Sequence, residues 1–131
     1  MTSVKDWSKY EPEFSKEEFD CKETGENEMR AEFMDALHRL RIAYGKPMVI
    51  TSGYRSPDHS IEAKKTKPGA HAMGFSCDIA VSGENAMQML HLALAHGFRG
   101  IGVNQRGSSR FIHLDMGTVA DGLPRPNIWS Y

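Results

Sequence analysis

The sequence predicts an α+β domain, a small antiparallel sheet of about four strands with two or three packed helices. Three observations predict it. Short apolar runs with strand character recur four times, and two longer stretches repeat apolar residues at helical spacing. The two kinds do not alternate strictly along the chain, which argues against a parallel sheet. At 131 residues, with 40% hydrophobic content, the chain fits one globular domain over residues 1–131 with a modest core.

Taken in order, Phe14-Ser15-Lys16-Glu17-Glu18-Phe19 reads as a short helical turn, with Ser15 as its cap and Glu18 completing a capping box. The first long helix follows Asn27 as N-cap, with Glu28 in its first turn. Met29, Phe33, Leu37, Leu40 and Tyr44 recur at helical spacing until Gly45 and Pro47 end the pattern. Met48-Val49-Ile50-Thr51 is a strand running into Ser52-Gly53-Tyr54-Arg55-Ser56-Pro57, a loop whose Gly and Pro cannot continue it.

Ser76-Cys77-Asp78-Ile79-Ala80-Val81 is the next strand, entered just after Gly74, with Asp78 near its start. A second helix runs from the Ser82 cap through Glu84 and the apolar series Met87, Leu90 and Leu94 to a stop at Gly97. Gly100-Ile101-Gly102-Val103 and Arg110 through Met116 are the last two strands, and the turn at Gly107, Ser108 and Ser109 pairs them as a hairpin. The tail from Pro124 to Tyr131 reads as extended, its aromatics packing over one end of the sheet. No internal repeat or low-complexity tract is present.

Sixteen basic residues nearly cancel seventeen acidic ones, and no run of Lys or Arg makes a nucleic-acid footprint. Met1 through Trp7 lacks the apolar stretch of a secretory signal, and no segment approaches a membrane span, so cytoplasmic synthesis without membrane insertion is expected. Cys21 and Cys77 are too few for a disulfide framework and read as two free, buried thiols. A monomer is the default.

The chemistry lies in His71, Asp78 and His113. Two imidazoles and a carboxylate are the donor set of a catalytic zinc that leaves its fourth position to water. On one straight helix His71 and Asp78 would be about 10 Å apart along the axis, so the chain must fold back between them, and Gly74 supplies the freedom. Strand periodicity puts Asp78 and Ala80 on one face and Cys77 and Ile79 on the other, which makes Cys77 a poor ligand. The same period sets Phe111, His113 and Asp115 on one side, with Ile112 and Leu114 in the core. One of His113 and Asp115 would bind the ion; the other would orient or deprotonate its water.

The stretches Ser52-Gly53-Tyr54-Arg55-Ser56-Pro57, His71-x-x-Gly74-x-x-x-Asp78, Gly100-Ile101-Gly102-Val103 and Phe111-Ile112-His113-Leu114-Asp115 together resemble the zinc D-Ala-D-Ala carboxypeptidases and their relatives, including phage peptidoglycan endopeptidases (endolysins). The resemblance runs from about Phe14 to Tyr131. It implies one zinc ion held by His71, Asp78 and His113, and peptidoglycan stem peptides as substrate, cut either at D-Ala-D-Ala or at a bond such as L-Ala-D-Glu. It also implies that Arg55 contacts substrate, through a carboxylate or the developing oxyanion. Better-known members carry a Glu or Asp three residues before the last ligand, or a His two before it, as general base. Here those positions hold Arg110 and Phe111. Asp115 is left as either the base or a support for His113.

Without an export signal, a wall-cleaving enzyme fits a phage or prophage lysis protein released to the periplasm or wall by a separate holin-like protein. Two other classes stand beside this one. A zinc-holding binding module that has lost catalysis is similar to the hedgehog signalling domain. A non-haem iron oxygenase uses a comparable triad, His113-x-Asp115 included, but needs a jelly roll of about eight strands that this chain lacks. His59 and Glu62 follow Arg55 closely enough to line the cleft. His38, His91 and His96 fall within helices, and Met73, Met87 and Met89 read as packing residues.

Overall fold

The computed structural model describes residues 1–131. Five strands form one sheet: β1 (Val49–Ser52), β2 (Ser76–Ala80), β3 (Gly100–Asn104), β4 (Phe111–Asp115) and β5 (Asn127–Ser130), in the order β1-β2-β4-β3-β5. Every neighbouring pair is antiparallel except β3 and β5. The expected β3–β4 hairpin is present, with Gly102 opposite His113. With α1 (Ala31–Tyr44) and α2 (Gly83–Ala95), the fold is the α+β class that the sequence predicts.

Alternation along the central strands divides the sheet into two faces. Cys77, Ile79, Ile112 and Leu114 point into a core shared with Phe33, Leu37 and Leu40 of α1 and with Met89 and Ala93 of α2. Asp78, His113 and Asp115 take the other face. The expected capping turn at Lys16–Phe19 forms as a 3-10 turn, in which the Glu18 carboxylate accepts the Ser15 amide at 2.8 Å. Cys21 and Cys77 are free, buried thiols. No helix is long and apolar enough to cross a membrane.

Four local expectations are corrected. α1 starts at Ala31, after an extended Arg30, and not after Asn27. Asn27 does cap a backbone amide, that of Met29 at 3.0 Å, but the next backbone groups are taken by tertiary partners: Val4 donates to Met29 O and Arg30 donates to Gly74 O. In α2 the buried stripe is Ala86, Met89 and Ala93, while Met87 and Leu94 are 71% and 63% exposed. Small side chains let this helix pack closely, so its larger apolar residues were a misleading guide to the buried face. Asp78 sits in the middle of β2.

The tail is the fourth correction, because it is a fifth strand. Pro124 and Pro126 lack the amide that a ladder requires, yet both precede the strand, and Asn127 enters it by donating to Arg99 O at 2.9 Å. β5 lies at the sheet edge with Ile128 exposed, so no apolar alternation marks it in the sequence.

Candidate metal centre

His71, Asp78 and His113 reach one point from three segments. Asp78 and His113 are direct cross-strand partners on β2 and β4, which brings their side chains together on one face. His71 arrives from the turn before β2. That turn depends on Gly74, whose φ of +82° favours glycine and whose missing side chain leaves room for the Glu28 carbonyl.

The end of β1 holds His71 in place. The β1–β2 register is irregular between Ile50 and Ser52, a kink of the kind that re-aims strand ends beside functional sites. Gly53 follows directly, and its carbonyl accepts the His71 Nδ1 proton at 2.8 Å. Arg55 N donates to His71 O at 3.2 Å, so the segment brackets the residue on both sides. Because a carbonyl can only accept, His71 keeps a proton on Nδ1 and turns Nε2 toward Asp78 and His113.

That Nε2 lies 3.4 Å from Asp78 Oδ1, and His113 Nδ1 lies 2.9 Å from the same oxygen. One donor atom from each of the three residues lies within 4.8 Å of the others. Donors on a tetrahedral zinc are about 3.3 Å apart, given bonds of about 2.0 Å, so these three fit such an ion with little adjustment. The second nitrogen of each imidazole is already engaged, His71 by Gly53 and His113 Nε2 by Asp115 Oδ2 at 2.7 Å. A backbone carbonyl or carboxylate behind each histidine is the usual support of a metal ligand.

The charges are consistent with this. Burial alone would raise the Asp78 carboxyl, but hydrogen bonds and positive charge from His113 and His71 hold it well below the usual carboxylate range. Burial disfavours protonated His113, yet its bonds to Asp115 and Asp78 raise the imidazole above its ordinary value. Without an ion, the two carboxylates favour the protonated form of this imidazole.

Asp115 is fully buried and saturated. Its Oδ1 accepts from Gly117 N at 3.0 Å and Arg125 Nε at 2.9 Å; its Oδ2 accepts from His113 Nε2 and from Arg125 Nη2, both at 2.7 Å. Burial would raise this carboxyl too, but His113 and Arg125 keep it well below the usual range. Arg55 is a quarter exposed, with Nη1 4.0 Å from Glu62 Oε2. Its backbone amide is tied to the His71 carbonyl, which anchors Arg55 beside the metal-binding segment.

The remaining candidates are engaged elsewhere. Glu62 is buried against Lys65 at 2.6 Å and the Gly69 amide at 3.0 Å, and His59 pairs with Glu23 at 3.0 Å. His38 pairs with Glu13, the His96 ring bonds Leu92 O, and His91 is exposed on α2. Sequence reasoning missed Arg125 and Trp129. The Trp129 ring lies 5.2 Å from His113 between centroids, and no periodicity or motif in the tail marks either residue.

The sequence model of the Peptidase M15 family matches residues 11–115, a stretch that includes Arg55, His71, Asp78, His113 and Asp115. No curated protein matches the chain. With most of its length fitted to one family pattern, and with a His-Asp-His cluster that could hold a metal converging in space, the chain belongs to the Peptidase M15 family, that of the zinc D-Ala-D-Ala carboxypeptidases.

Proposed function

We propose that the protein is a zinc-dependent peptidase that hydrolyses stem-peptide bonds of bacterial peptidoglycan. The observation that carries this reading is the donor triangle of His71 Nε2, Asp78 Oδ1 and His113 Nδ1, with both imidazoles held from behind. A zinc ion bound there supplies a water of lowered pKa and a Lewis acid for the scissile carbonyl. His71, Asp78 and His113 would hold the ion.

Arg55 binds a substrate carboxylate or the developing oxyanion. Its planar fork matches either, and its 24% exposure leaves the guanidinium within reach of a ligand. Of the two roles open to Asp115, support for His113 fits better than general base. Its oxygens already accept four hydrogen bonds, and it is 0% exposed, out of reach of a substrate water. It keeps the proton on His113 Nε2 and so keeps Nδ1 free for the metal.

Digestion of purified peptidoglycan in the presence of zinc tests the activity, with new amino termini as the readout. Mass spectrometry of the released muropeptides distinguishes D-Ala-D-Ala cleavage from an internal cut such as L-Ala-D-Glu. A chelator should stop the release, and zinc should restore it.

One observation favours a second reading, a zinc-holding binding module of the same fold. The positions that carry the base in better-known relatives hold Arg110 and Phe111, and Arg110 Nε is bonded to Gly107 O at 3.0 Å. Retention on peptidoglycan with no new termini at any zinc concentration would select this reading. The lysis role follows from the wall-directed reading, with synthesis in the host cytoplasm and release by a holin-like protein. A gene lying outside any phage or prophage cluster would count against it.

A further inference from the structure

The cleft face of β3 carries no side chain at two successive positions. Gly100 and Gly102 face the same way as Asp115 and His113, with which they pair on β4. A Cβ on Gly100 would overlap Asp115 Oδ1 and Arg125 Nε. One on Gly102 would lie 2.7 Å from both Trp129 Nε1 and the Tyr131 hydroxyl. The Gly-x-Gly spacing therefore opens a trough across β3, and side chains from the far strand reach over it to β4.

Arg125 and Trp129 fill this trough. The Arg125 guanidinium grips both oxygens of Asp115, at 2.9 and 2.7 Å, in the two-point geometry that fixes a carboxylate plane. The Trp129 ring lies against His113 on one side and 4.8 Å from the Arg125 guanidinium carbon on another. Under this cover the Arg125 side chain is 7% exposed and that of Asp115 is 0% exposed. Both covering residues lie beyond residues 11–115, which the family pattern describes.

We propose that the C-terminal segment from Arg125 through β5 is the outer support of the metal centre: Arg125 is a positioning residue that acts through Asp115 on the His113 ring, Trp129 covers the pair, and Gly100 and Gly102 are the empty positions that admit them. With the clamp in place, Asp115 Oδ2 stays in line with His113 Nε2. Without it the carboxylate keeps only the Gly117 amide and His113 itself, so it can turn about its last torsion, and the ring orientation loosens with it.

The inference rests on the metal-centre reading above, so the experiment begins with the unaltered protein. Zinc affinity is measured by chelator competition, and the visible spectrum of the cobalt(II)-loaded protein reports coordination geometry. Arg125→Ala should weaken zinc binding about 10–100-fold, as is typical when the support of a ligand is lost. It should also change the cobalt spectrum. Millimolar methylguanidinium should restore both; methylammonium, with no fork of donors, should not.

Trp129→Leu, at the sheet edge, should shift affinity and spectrum in the same direction by a smaller factor, and it serves if Arg125→Ala does not fold. Wild-type affinity and spectrum in whichever of these variants fold would overturn the proposal. If the unaltered protein binds neither ion, the metal-centre reading fails first and the proposal falls with it.

Discussion

The Gly53 carbonyl lies 2.8 Å from His71 Nδ1, and the backbone of Phe19 leaves the same glycine no room for a side chain. A Cβ there would lie 2.6 Å from Phe19 Cα and 2.8 Å from Phe19 O, which are backbone atoms that cannot swing aside. Gly53→Ala should therefore displace the end of β1 and its carbonyl together. We expect a loss of about 1–3 kcal/mol in stability, the usual cost of overfilling a packed site. Zinc affinity should fall by about 10–100-fold as His71 loses its support. Thermal unfolding of the metal-free protein and chelator competition measure the two effects separately.

Asp78 offers one carboxylate oxygen, Oδ1, to both imidazoles. Asp78→Asn keeps its shape but replaces a negative oxygen by neutral amide atoms, leaving two neutral histidines to hold a divalent ion. Stoichiometric zinc binding and any peptidoglycan hydrolysis should both be lost, along with the rise in unfolding temperature that zinc gives the unaltered protein. An Asp78→Asn protein that keeps its zinc affinity would remove this residue from the centre.

The central sheet and its two faces were legible because their signals are local. Alternation along β2 and β4 alone assigns Asp78, His113 and Asp115 to one side and Cys77, Ile79, Ile112 and Leu114 to the other. The start of α1 was not legible, since Asn27 is a sound cap and only distant partners, Val4 and Gly74, hold the following residues extended. The α2 face was misread because apolar size and burial part company there: Ala86 and Ala93 are buried, Met87 and Leu94 exposed. Arg125 carries no signal of its own. Its role exists only because β5 adds to β3 beside two glycines, and pairing across a sheet leaves no periodic trace in the chain.

Arg55 offers a separation between catalysis and stability. It is partly exposed, and its one charged neighbour, Glu62, is held independently by Lys65 and Gly69. Arg55→Lys keeps the charge but removes the fork. Peptidoglycan hydrolysis should fall about 100- to 1000-fold, the scale of losing one oxyanion donor, while stability moves by no more than about 0.5 kcal/mol. Turnover on muropeptides and an unfolding curve test both statements, and undiminished turnover would take Arg55 out of the reaction.

The pH dependence of stability should differ in shape with and without zinc. In the metal-free protein the His113 pKa is raised, by its bonds to Asp115 and Asp78 acting against burial. Its contribution is therefore complete below the unfolded-chain value near 6.5 and is lost as pH rises through the folded value. The Asp78 and Asp115 carboxyls are depressed, so theirs is present above about pH 4 and lost as pH falls. Metal-free protein should accordingly be most stable between these limits and weaken as pH rises through the folded His113 value. Zinc takes the place of the His113 proton, so its binding releases protons and tightens as pH rises through the folded His113 value. The gain in unfolding temperature on adding zinc should then grow as pH rises above the unfolded-chain value near 6.5, and calorimetric titrations in buffers of different ionisation enthalpy should register the released proton. A gain independent of pH, with no proton released, would mean that the ion does not displace a proton from His113.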